Sequence, residues 1–195
     1  MARPRAFDET EILRSLEDVF WRQGYEATSY DDLMRASGLG KGSLYAAFGD
    51  KRALYLKALA GYIDHEIGAL GATLMDDRLP GPARICALFD EVIHAVEVRN
   101  DRRGCFLCNA AVDQAGHDPD VGALVAEALG AARAAIDAAI KACGQVEANA
   151  DGVLAAFLGM RVLAKSGADL ASLKAARDDA LAPFRGVEDV GGIPE

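Results

Sequence analysis

The most reactive side chains of this sequence lie in residues 102–109, Arg-Arg-Gly-Cys-Phe-Leu-Cys-Asn. The pattern predicts that Cys105 stands at the start of a helix, where unpaired backbone N–H groups favour a thiolate over a thiol. Arg102 and Arg103 would act in the same direction, because their positive charges also stabilise a thiolate. We therefore predict Cys105 as the candidate nucleophile, with Cys108 one turn later. The alternative is that both cysteines pack as small apolar residues in a core.

Cysteine pairs also bind metals and catalyse redox exchange, but the sequence contains little support for either. A structural zinc site needs further ligands at suitable spacing, and His94 and His117 are the candidates. A thioredoxin-like Cys-x-x-Cys requires a βαβ context, which is missing. No Ser-His-Asp arrangement, paired carboxylates or glycine-rich phosphate loop stands out. We predict a protein that is not an enzyme and has no metal and no cofactor.

A non-covalent ligand would use the same part of the chain. Apolar residues from several helices could line a cavity, with a few polar side chains orienting a polar group of the ligand. Each of these residues is equally compatible with ordinary core packing. The apolar candidates are Phe89, Ile93, Phe106, Leu129, Phe157 and Met160, and the polar ones are His94, Asn109, Arg161 and His117.

An earlier polar stretch has the pattern of two short helices joined by a tight turn. Ser29 and Asp32 form a capping box, so the first helix begins at the next residue, Tyr30. Gly38 ends this helix, and a second helix can run to Phe48. The second helix would bury Leu44 and Phe48 and leave Lys41, Ser43 and Tyr45 on its outer side.

A third and longer helix is predicted after this pair. Asp50 caps it, and no strong helix breaker follows until about Met75. Lys51 and Arg52 lie in its first turn, where the helix dipole disfavours cations. An anionic partner would offset that local cost.

These residues resemble the TetR family of one-component transcriptional regulators. The resemblance extends over roughly residues 8–60 and rests on Gly24-Tyr25, Thr28-Ser29, a Gly-Leu turn, Lys41-Gly42-Ser43-Leu44-Tyr45, Phe48, Asp50-Lys51 and Leu54. It implies that Lys41, Gly42 and Ser43 enter a major groove, while Tyr45 and Lys51 touch phosphates. The DNA-binding residues that the resemblance implies are Thr28, Ser29, Lys41, Gly42, Ser43, Tyr45 and Lys51.

Two positions depart from the usual pattern of the family. Gly40 stands where a Ser or Thr is usual, and Ala46 and Ala47 follow Tyr45. Fewer side chains are therefore available to contact bases on that side.

The Gly104-Cys105 pair is similar to a Gly-Cys motif of one TetR subgroup, some of whose members respond to electrophiles or oxidants through it. In that subgroup a lysine corresponding to Lys165 can lie near the cysteine. The resemblance implies a covalent switch, in which a sulfenic acid at Cys105 is captured by Lys165 or by Cys108.

The charge balance at first disfavours DNA as a partner, because the 195-residue chain has a formal net charge of −9. Residues 1–52 hold eight Lys or Arg against nine Asp or Glu, so most of the negative charge lies further on. No uncharged run approaches the length of a membrane span, and no secretory signal follows the N-terminal arginines. We expect a cytoplasmic protein with reduced cysteines and no membrane partner. The basic face for DNA would comprise Arg3, Arg5, Arg35, Lys41, Lys51 and Arg52.

Helical periodicity continues to the C-terminal region without strand-like alternation, so the predicted fold is all-α. We divide the chain into a three-helix helix-turn-helix domain at 1–50, a larger helical ligand-binding and dimerisation domain at 51–185, and a disordered tail at 186–195. The last two helices, from about 148 to 166 and after Asp169, carry apolar residues in excess of one face. Two copies could pair them into a four-helix bundle, which matches the homodimer of the family.

Together these features predict a homodimeric repressor that binds a palindromic operator in double-stranded DNA. A small molecule, an electrophile or an oxidant would release it. Two other classes remain open. An all-α thiol-reactive enzyme would use Cys105 for turnover, and a dimeric adaptor that has lost DNA binding would explain Ala46, Ala47 and the acidic balance.

Overall fold

The computed structural model describes residues 9–144 and 146–186, and every regular element within these ranges is helical. The all-α prediction is confirmed. The N-terminal elements are α1 (Glu9–Gln23), α2 (Tyr30–Ser37), α3 (Lys41–Phe48), α4 (Lys51–Tyr62), a π-helical segment (Ile63–Ile67) and α5 (Gly68–Leu74). The later elements are α6 (Gly81–Glu97), α7 (Phe106–Asp113), α8 (Pro119–Lys141), α9 (Ala150–Lys165), α10 (Leu170–Ala180) and a 3₁₀ turn (Ala182–Phe184).

The helix boundaries near the N-terminus follow the predicted capping residues. The Ser29 hydroxyl accepts the backbone N–H of Asp32, and the Asp32 carboxylate accepts the backbone N–H of Ser29 at 3.0 Å. Gly38 has a φ of 67°, a left-handed conformation that glycine adopts without strain, and it ends α2. Asp50 accepts the backbone N–H of Ala53 at 2.8 Å and begins α4. Local hydrogen bonds therefore fix the turn between α2 and α3.

The long helix predicted after Asp50 is present, with a change of geometry in its middle. Residues 51–74 are helical without a break, but Ile63–Ile67 forms a π-helical turn between α4 and α5. Such turns hold one extra residue per turn and often occur at functional sites. Here the turn rotates the residues after Tyr62 relative to those before it.

The described residues form two hydrophobic cores. The first joins α1–α4 to α7 and the N-terminal half of α8, and it therefore crosses the predicted domain boundary at residue 50. Its centre is a set of edge-to-face aromatic contacts in which Phe106 packs on both Tyr55 and Tyr62 at 5.6 Å. The second core joins α5, α6, the C-terminal half of α8, α9 and α10. Burial of this kind is the main stabilising contribution to such a fold.

Some predictions fall on parts of the chain that the structure does not describe. Arg3 and Arg5 of the predicted basic face lie before residue 9, and residues 187–195 of the predicted tail lie after the last described residue. Among the described residues, none of the helices is both long and apolar enough to cross a membrane.

Candidate DNA-binding surface and effector site

One side of α3 is exposed as the sequence predicted. Leu44 and Phe48 are buried in the first core. Around them the backbone of α3 presents a solvent-facing edge, and Lys51 at the start of α4 lies beside it. We call this set the α3 face, and it comprises Lys41, Gly42, Ser43, Tyr45 and Lys51.

Aromatic rings hold the two lysines of the α3 face. The rings of Tyr30 and Tyr45 stack with centroids 5.3 Å apart. Lys41 Nζ lies 5.0 Å from the Tyr30 centroid, and Lys51 Nζ lies 4.5 Å from the centroid of Tyr25. Within the described ranges neither lysine has a carboxylate within 4.0 Å. Both cations are therefore positioned by cation–π contacts and keep their charge available to an anion.

Two residues predicted as DNA contacts have structural roles instead. Thr28 is 1% exposed, and its hydroxyl donates to the Gly24 carbonyl at 2.6 Å, so its side chain cannot reach a duplex. Ser29 is exposed, but its hydroxyl donates to Asp32 Oδ2 at 2.6 Å within the capping box. The prediction for Thr28 was therefore wrong, because its side chain faces inward and stabilises the turn before α2.

The predicted basic face is also smaller than expected. Arg35 pairs with Asp32 on its own helix at 3.0 Å. Arg52 donates to Asp118 at 2.6 and 2.8 Å and to Asp120 at 2.6 Å, at the N-terminus of α8. The anionic partner that the first turn of α4 needs is thus inside the chain. The hydrogen bonds from Arg52 lower the pKa of Asp118. Of the predicted cations that are described, Lys41 and Lys51 remain without an acidic partner.

The thiol of Cys105 lies at the N-cap of α7, as predicted, and is buried with 3% exposure. The Tyr62 hydroxyl donates to Cys105 Sγ at 3.4 Å and accepts from Arg161 Nη2 at 3.2 Å. The hydrogen bond from the Cys108 thiol, the positive charge of Arg161 and the Tyr62 hydroxyl lower the pKa of Cys105, although burial opposes this. The same hydrogen bond raises the pKa of Cys108.

The charge beside the thiol does not come from the predicted arginines. Arg102 Nη1 donates to the carbonyls of Ala164 and Ala168 at 3.2 and 2.8 Å, and so holds the C-terminal end of α9. Arg103 pairs with Asp101 at 2.6 Å and with Asp18 of α1 at 2.7 Å. The sequence prediction for these two residues was wrong, because both guanidinium groups have partners distant in sequence.

Gly104 allows the loop before α7 to approach α9 closely. Its φ is 76°, and a Cβ at this position would lie 3.1 Å from the Arg161 carbonyl and 3.1 Å from Lys165 Cβ. A side chain would therefore clash here and be strained as well. This approach brings Lys165 to the groove that Cys105 also lines.

Two spaces adjoin Cys105. A largely apolar cavity of about 410 Å³ lies between α4–α5, α6, α7, α8 and α9. A groove of about 600 Å³ runs between the end of α1 and the α7–α9 pair. The cavity is lined by the predicted residues Cys105, Leu129, Phe157 and Arg161, and the groove by Cys105, Cys108, Asn109, Arg161 and Lys165.

Six of the predicted ligand residues line neither space: Phe89, Ile93, Phe106, Met160, His94 and His117. Phe89 is fully buried in the second core, where its ring packs edge-to-face on Phe157 at 6.2 Å. His94 is exposed on the other side of α6 and lines neither space. Sequence periodicity missed Tyr62, the last residue of α4, and Glu66 in the π-helical turn, which both line the cavity. No pattern in the sequence signals that turn.

No metal centre is evident in the described part of the chain, where His, Cys, Asp and Glu form no group of three or more that could hold an ion. His94 and His117 are both exposed and lie on different elements. Asn109, another predicted ligand residue, donates from Nδ2 to the Trp21 carbonyl at 3.2 Å. It therefore joins α7 to α1.

Comparison with known proteins agrees with this architecture. Residues 12–58 match the family model for bacterial regulatory proteins of the tetR family, and residues 81–180 match the model for the tetracyclin repressor-like C-terminal domain. The chain is 32% identical over 123 residues to YezE of Bacillus subtilis, an uncharacterized HTH-type transcriptional regulator, covering 62% of each chain. It is 32% identical over 107 residues to the HTH-type transcriptional repressor ComR of Escherichia coli, covering 55% of this chain and 51% of ComR. The chain thus spans about half to three-fifths of these relatives.

Solved structures show the same fold over nearly the whole chain. A cysteine mutant of the TetR family transcriptional regulator CifR, complexed with 26-base-pair double-strand operator DNA, is 27% identical with a TM-score of 0.76, covering 92% of this chain and 98% of CifR. The reduced form of Escherichia coli NemR has a TM-score of 0.78 at 17% identity, covering 95% of this chain and all of NemR, and it supports the fold alone. With both family models matched and this fold in common, the chain belongs to the TetR family.

Proposed function

We propose that this protein is a DNA-binding transcriptional regulator, acting as a repressor on a palindromic operator. The observation that carries the proposal is the α3 face, where the exposed Lys41 and the partly exposed Lys51 lie over aromatic rings without an acidic partner among the described residues. The α3 helix would enter a major groove with Lys41, Gly42 and Ser43 near base edges. Tyr45 and Lys51 would contact phosphates.

The similar proteins support this proposal. ComR and BdcR of Escherichia coli are HTH-type transcriptional repressors, and the CifR mutant is complexed with operator DNA. The match to CifR includes both the helix-turn-helix and the C-terminal helices. A repressor works where the chromosome is, so we also place the protein in the cytoplasm.

We further propose a homodimer formed through α9 and α10. One side of α9 covers the second core, but the other side exposes Ala155, Gly159, Val162 and Leu163. Val162 is 56% exposed and Leu163 is 42% exposed, which is unusual for large apolar residues on one helix face. Two copies joined there would form a four-helix bundle on a two-fold axis and present two α3 faces to successive major grooves about 34 Å apart.

The route from effector to DNA would run through the helix that follows Asp50. Its first turn is tied to α8 by Arg52, its middle is the π-helical turn, and its end lines the 410 Å³ cavity. An effector that prefers the released state would shift this helix and change the spacing of the two α3 faces. Inverting the populations from 1:99 to 99:1 requires a preference of about 5.5 kcal/mol.

A second candidate for the effector step is covalent, and it rests on the Cys105–Tyr62–Arg161 arrangement. The Cys105 thiolate would attack the outer oxygen of a hydroperoxide, giving a sulfenic acid and releasing an alkoxide that takes up a proton. Either the Lys165 amine would then attack the sulfur, giving a sulfenamide and water, or the Cys108 thiol would give a disulfide and water. Both capturing groups line the same groove as Cys105.

The DNA-binding proposal is tested by a gel-shift titration at low salt with the DNA upstream of the protein's own gene. We expect a shift with the unmodified protein and a strongly reduced shift for the double variant Lys41→Ala, Lys51→Ala. Arg35→Ala is the matched control, because Arg35 is an exposed helix-turn-helix cation that already has a carboxylate partner. No shift with the unmodified protein would favour the adaptor alternative.

The covalent candidate is tested by Cys105→Ser, with Cys86→Ser as the control in α6. Cys105→Ser should keep DNA binding and lose release by a hydroperoxide, whereas Cys86→Ser should keep both. Release that persists in Cys105→Ser would end the covalent proposal. Many product molecules formed per Cys105 would instead indicate the enzyme alternative.

A further inference from the structure

A small polar chamber lies between α1, α6, α9 and the loop before α7. Its volume is about 230 Å³, and Trp21 and Arg161 are among the residues that line it. Trp21 Nε1 and Arg161 Nε are buried and have no hydrogen-bond partner in the described part of the chain. A buried N–H donor without an acceptor is costly, and most proteins avoid it. Two such donors on one chamber indicate that an acceptor belongs there.

Apart from Glu66, the other charged groups of the chamber are already paired. Arg99 is hydrogen-bonded to Glu91, and Arg103 pairs with Asp101 while its guanidinium lies 3.8 Å from the Trp21 ring centroid. Arg161 differs, because its Nε is buried although the residue as a whole is partly exposed, and no described carboxylate lies within 4.0 Å of its guanidinium. Its Nη2 is used by the Tyr62 hydroxyl, which leaves Nε without an acceptor. The missing acceptor therefore faces a positive charge.

The chamber adjoins the 410 Å³ cavity, and Glu66, Glu91 and Arg161 line both. The two spaces differ in character. The chamber is lined mainly by polar and charged residues, whereas the cavity walls are formed largely by Leu70, Leu88, Leu107, Leu129, Leu154 and Phe157. A molecule with a polar head and a short apolar chain would match both spaces at once.

We propose that this pair of spaces binds a carboxylate with a medium-length apolar chain. The carboxylate would accept from Trp21 Nε1 and Arg161 Nε, since its two oxygens can serve two donors and a charged pair strengthens such bonds. The chain would lie in the apolar cavity. Glu66 is the group that opposes an anion here, because it lines both spaces and has no described cation within 4.0 Å.

Such a ligand would join the two ends of the molecule directly. Trp21 belongs to α1, which packs on the helix-turn-helix, and Arg161 belongs to α9, which we assign to the dimer interface. A head group held between them would link α1 to α9 and so favour one orientation of the α3 face. This regulatory consequence rests on the proposed function, whereas ligand binding itself does not.

The test is calorimetric titration of the full chain with octanoate, in the absence of DNA. Octanol and octylamine are the matched probes, because they keep the chain and replace the head group. We expect octanoate to bind at least about tenfold more tightly than either one, which corresponds to about one charge-assisted hydrogen bond. Equal binding of octanol, or tighter binding of octylamine, would overturn the proposal.

Three variants locate the head group. Arg161→Gln and Trp21→Phe should each weaken octanoate binding, by about tenfold and about threefold, and leave octanol binding unchanged. Glu66→Gln should strengthen octanoate binding by a few fold, and since Glu66 is exposed this variant keeps the proposal testable even when Arg161→Gln does not fold. Weaker octanoate binding in Glu66→Gln, or unchanged binding in Trp21→Phe, would contradict the assigned site.

A gel shift in the presence of octanoate distinguishes the ligand site from the repressor function. If octanoate binds in calorimetry and alters the gel shift, both the site and the regulatory consequence are supported. If octanoate binds but the protein gives no gel shift, the ligand site is supported and the repressor function is contradicted. A gel shift with no octanoate binding retains the repressor function and removes the site.

Discussion

The α3 face and the joint between α1 and the α7 region are both polar, but they are built in opposite ways. On the α3 face, Lys41 and Lys51 lie over aromatic rings, are reached by solvent and have no acidic partner in the described ranges. In the joint, three polar groups have partners more than 80 residues away: Arg103 with Asp18, Asn109 with the Trp21 carbonyl, and Asp113 with the Tyr25 backbone N–H at 2.8 Å.

Because of this difference, the α3 face should contribute to DNA binding and the joint to the free energy of unfolding. A cation without a partner contributes little to folding, so it can be removed with small effect on the free energy of unfolding. A partly buried ion pair behaves differently, because removing one member leaves the other without compensation. Substitutions in the two regions should therefore move different measurements.

The largest effect should come from Arg103→Ala in the joint. Its guanidinium bridges Asp18 and Asp101, and the Arg103 hydrogen bonds lower the pKa of Asp101 to about 2. Removing it leaves Asp101 without its cation and Asp18 with Arg22 alone, and should lower the free energy of unfolding by about 2 kcal/mol. Arg35→Ala is the exposed counterpart and should change it by less than about 0.5 kcal/mol. Urea unfolding of both variants measures the two changes in the free energy of unfolding. Equal changes would contradict the difference between the two regions.

An effect of similar size, but confined to neutral and alkaline pH, is expected at Glu17, a buried acid of α1. Burial first, and then the negative charges of Glu66 and Asp18, raise the pKa of Glu17 to about 7, while Arg103 and Arg14 act against them. The folded chain therefore keeps a proton that the unfolded chain releases above pH 4.5. The stability provided by this proton is complete below that pH and is lost as the pH rises through 7.

Glu17→Gln should remove this pH dependence. The neutral amide should make the variant about 2 kcal/mol more stable than the unmodified protein at pH 8, with little difference at pH 4.5. Urea unfolding at the two pH values measures it. A second variant, Glu66→Gln, keeps Glu17 and removes the negative charge that raises its pKa. In this variant the loss of stability should occur at lower pH than in the unmodified protein. An unmodified protein whose stability is flat between pH 4.5 and 8 would contradict the assignment.

On the α3 face, Lys51→Ala should weaken DNA binding by about 1 kcal/mol for all DNA sequences alike and leave unfolding unchanged. It should also reduce the slope of log affinity against log salt by about 0.9 for each subunit. Fluorescence anisotropy with labelled DNA at several salt concentrations provides both values. A loss confined to one base position would show that Lys51 contacts a base and not a phosphate.

The smallest effect concerns Tyr62, which lies outside both regions and bonds to Cys105 and Arg161. Tyr62→Phe removes the hydroxyl between Arg161 and Cys105, so the pKa of Cys105 should rise and its alkylation by iodoacetamide at pH 6 should slow by about threefold. Mass spectrometry of Cys105 over time measures the rate. A faster reaction would mean that Tyr62 shields the thiol more than it activates it.

The two regions also differ in how far the sequence alone predicts them. The α3 face depends on interactions within four residues, such as the Ser29–Asp32 box, the glycine at 38 and the Asp50 cap, and these were predicted correctly. The exposure of the outer side of α3 followed from helical spacing. Thr28 was the exception, because a polar side chain in a turn can bond the backbone and face inward.

The joint and the cavity depend on contacts that spacing cannot specify. Nothing local pairs Arg52 with Asp118, or places Tyr62 and Arg161 beside Cys105. The π-helical turn changes which residues of the long helix face the cavity, so a regular helical period gives the wrong set. The prediction that His94 lines the cavity was wrong for a related reason. Periodicity assigns residues to faces of α6 without showing which face is covered by other helices.

The most direct test of the central claim is a footprinting experiment on DNA from upstream of the protein's own gene. If the α3 faces of a dimer contact DNA, two protected segments should appear with centres about one helical turn, or 34 Å, apart, and both should disappear with Lys41→Ala, Lys51→Ala but persist with Arg35→Ala. A footprint that is unchanged in the double lysine variant, or no protection at low salt, would contradict the account.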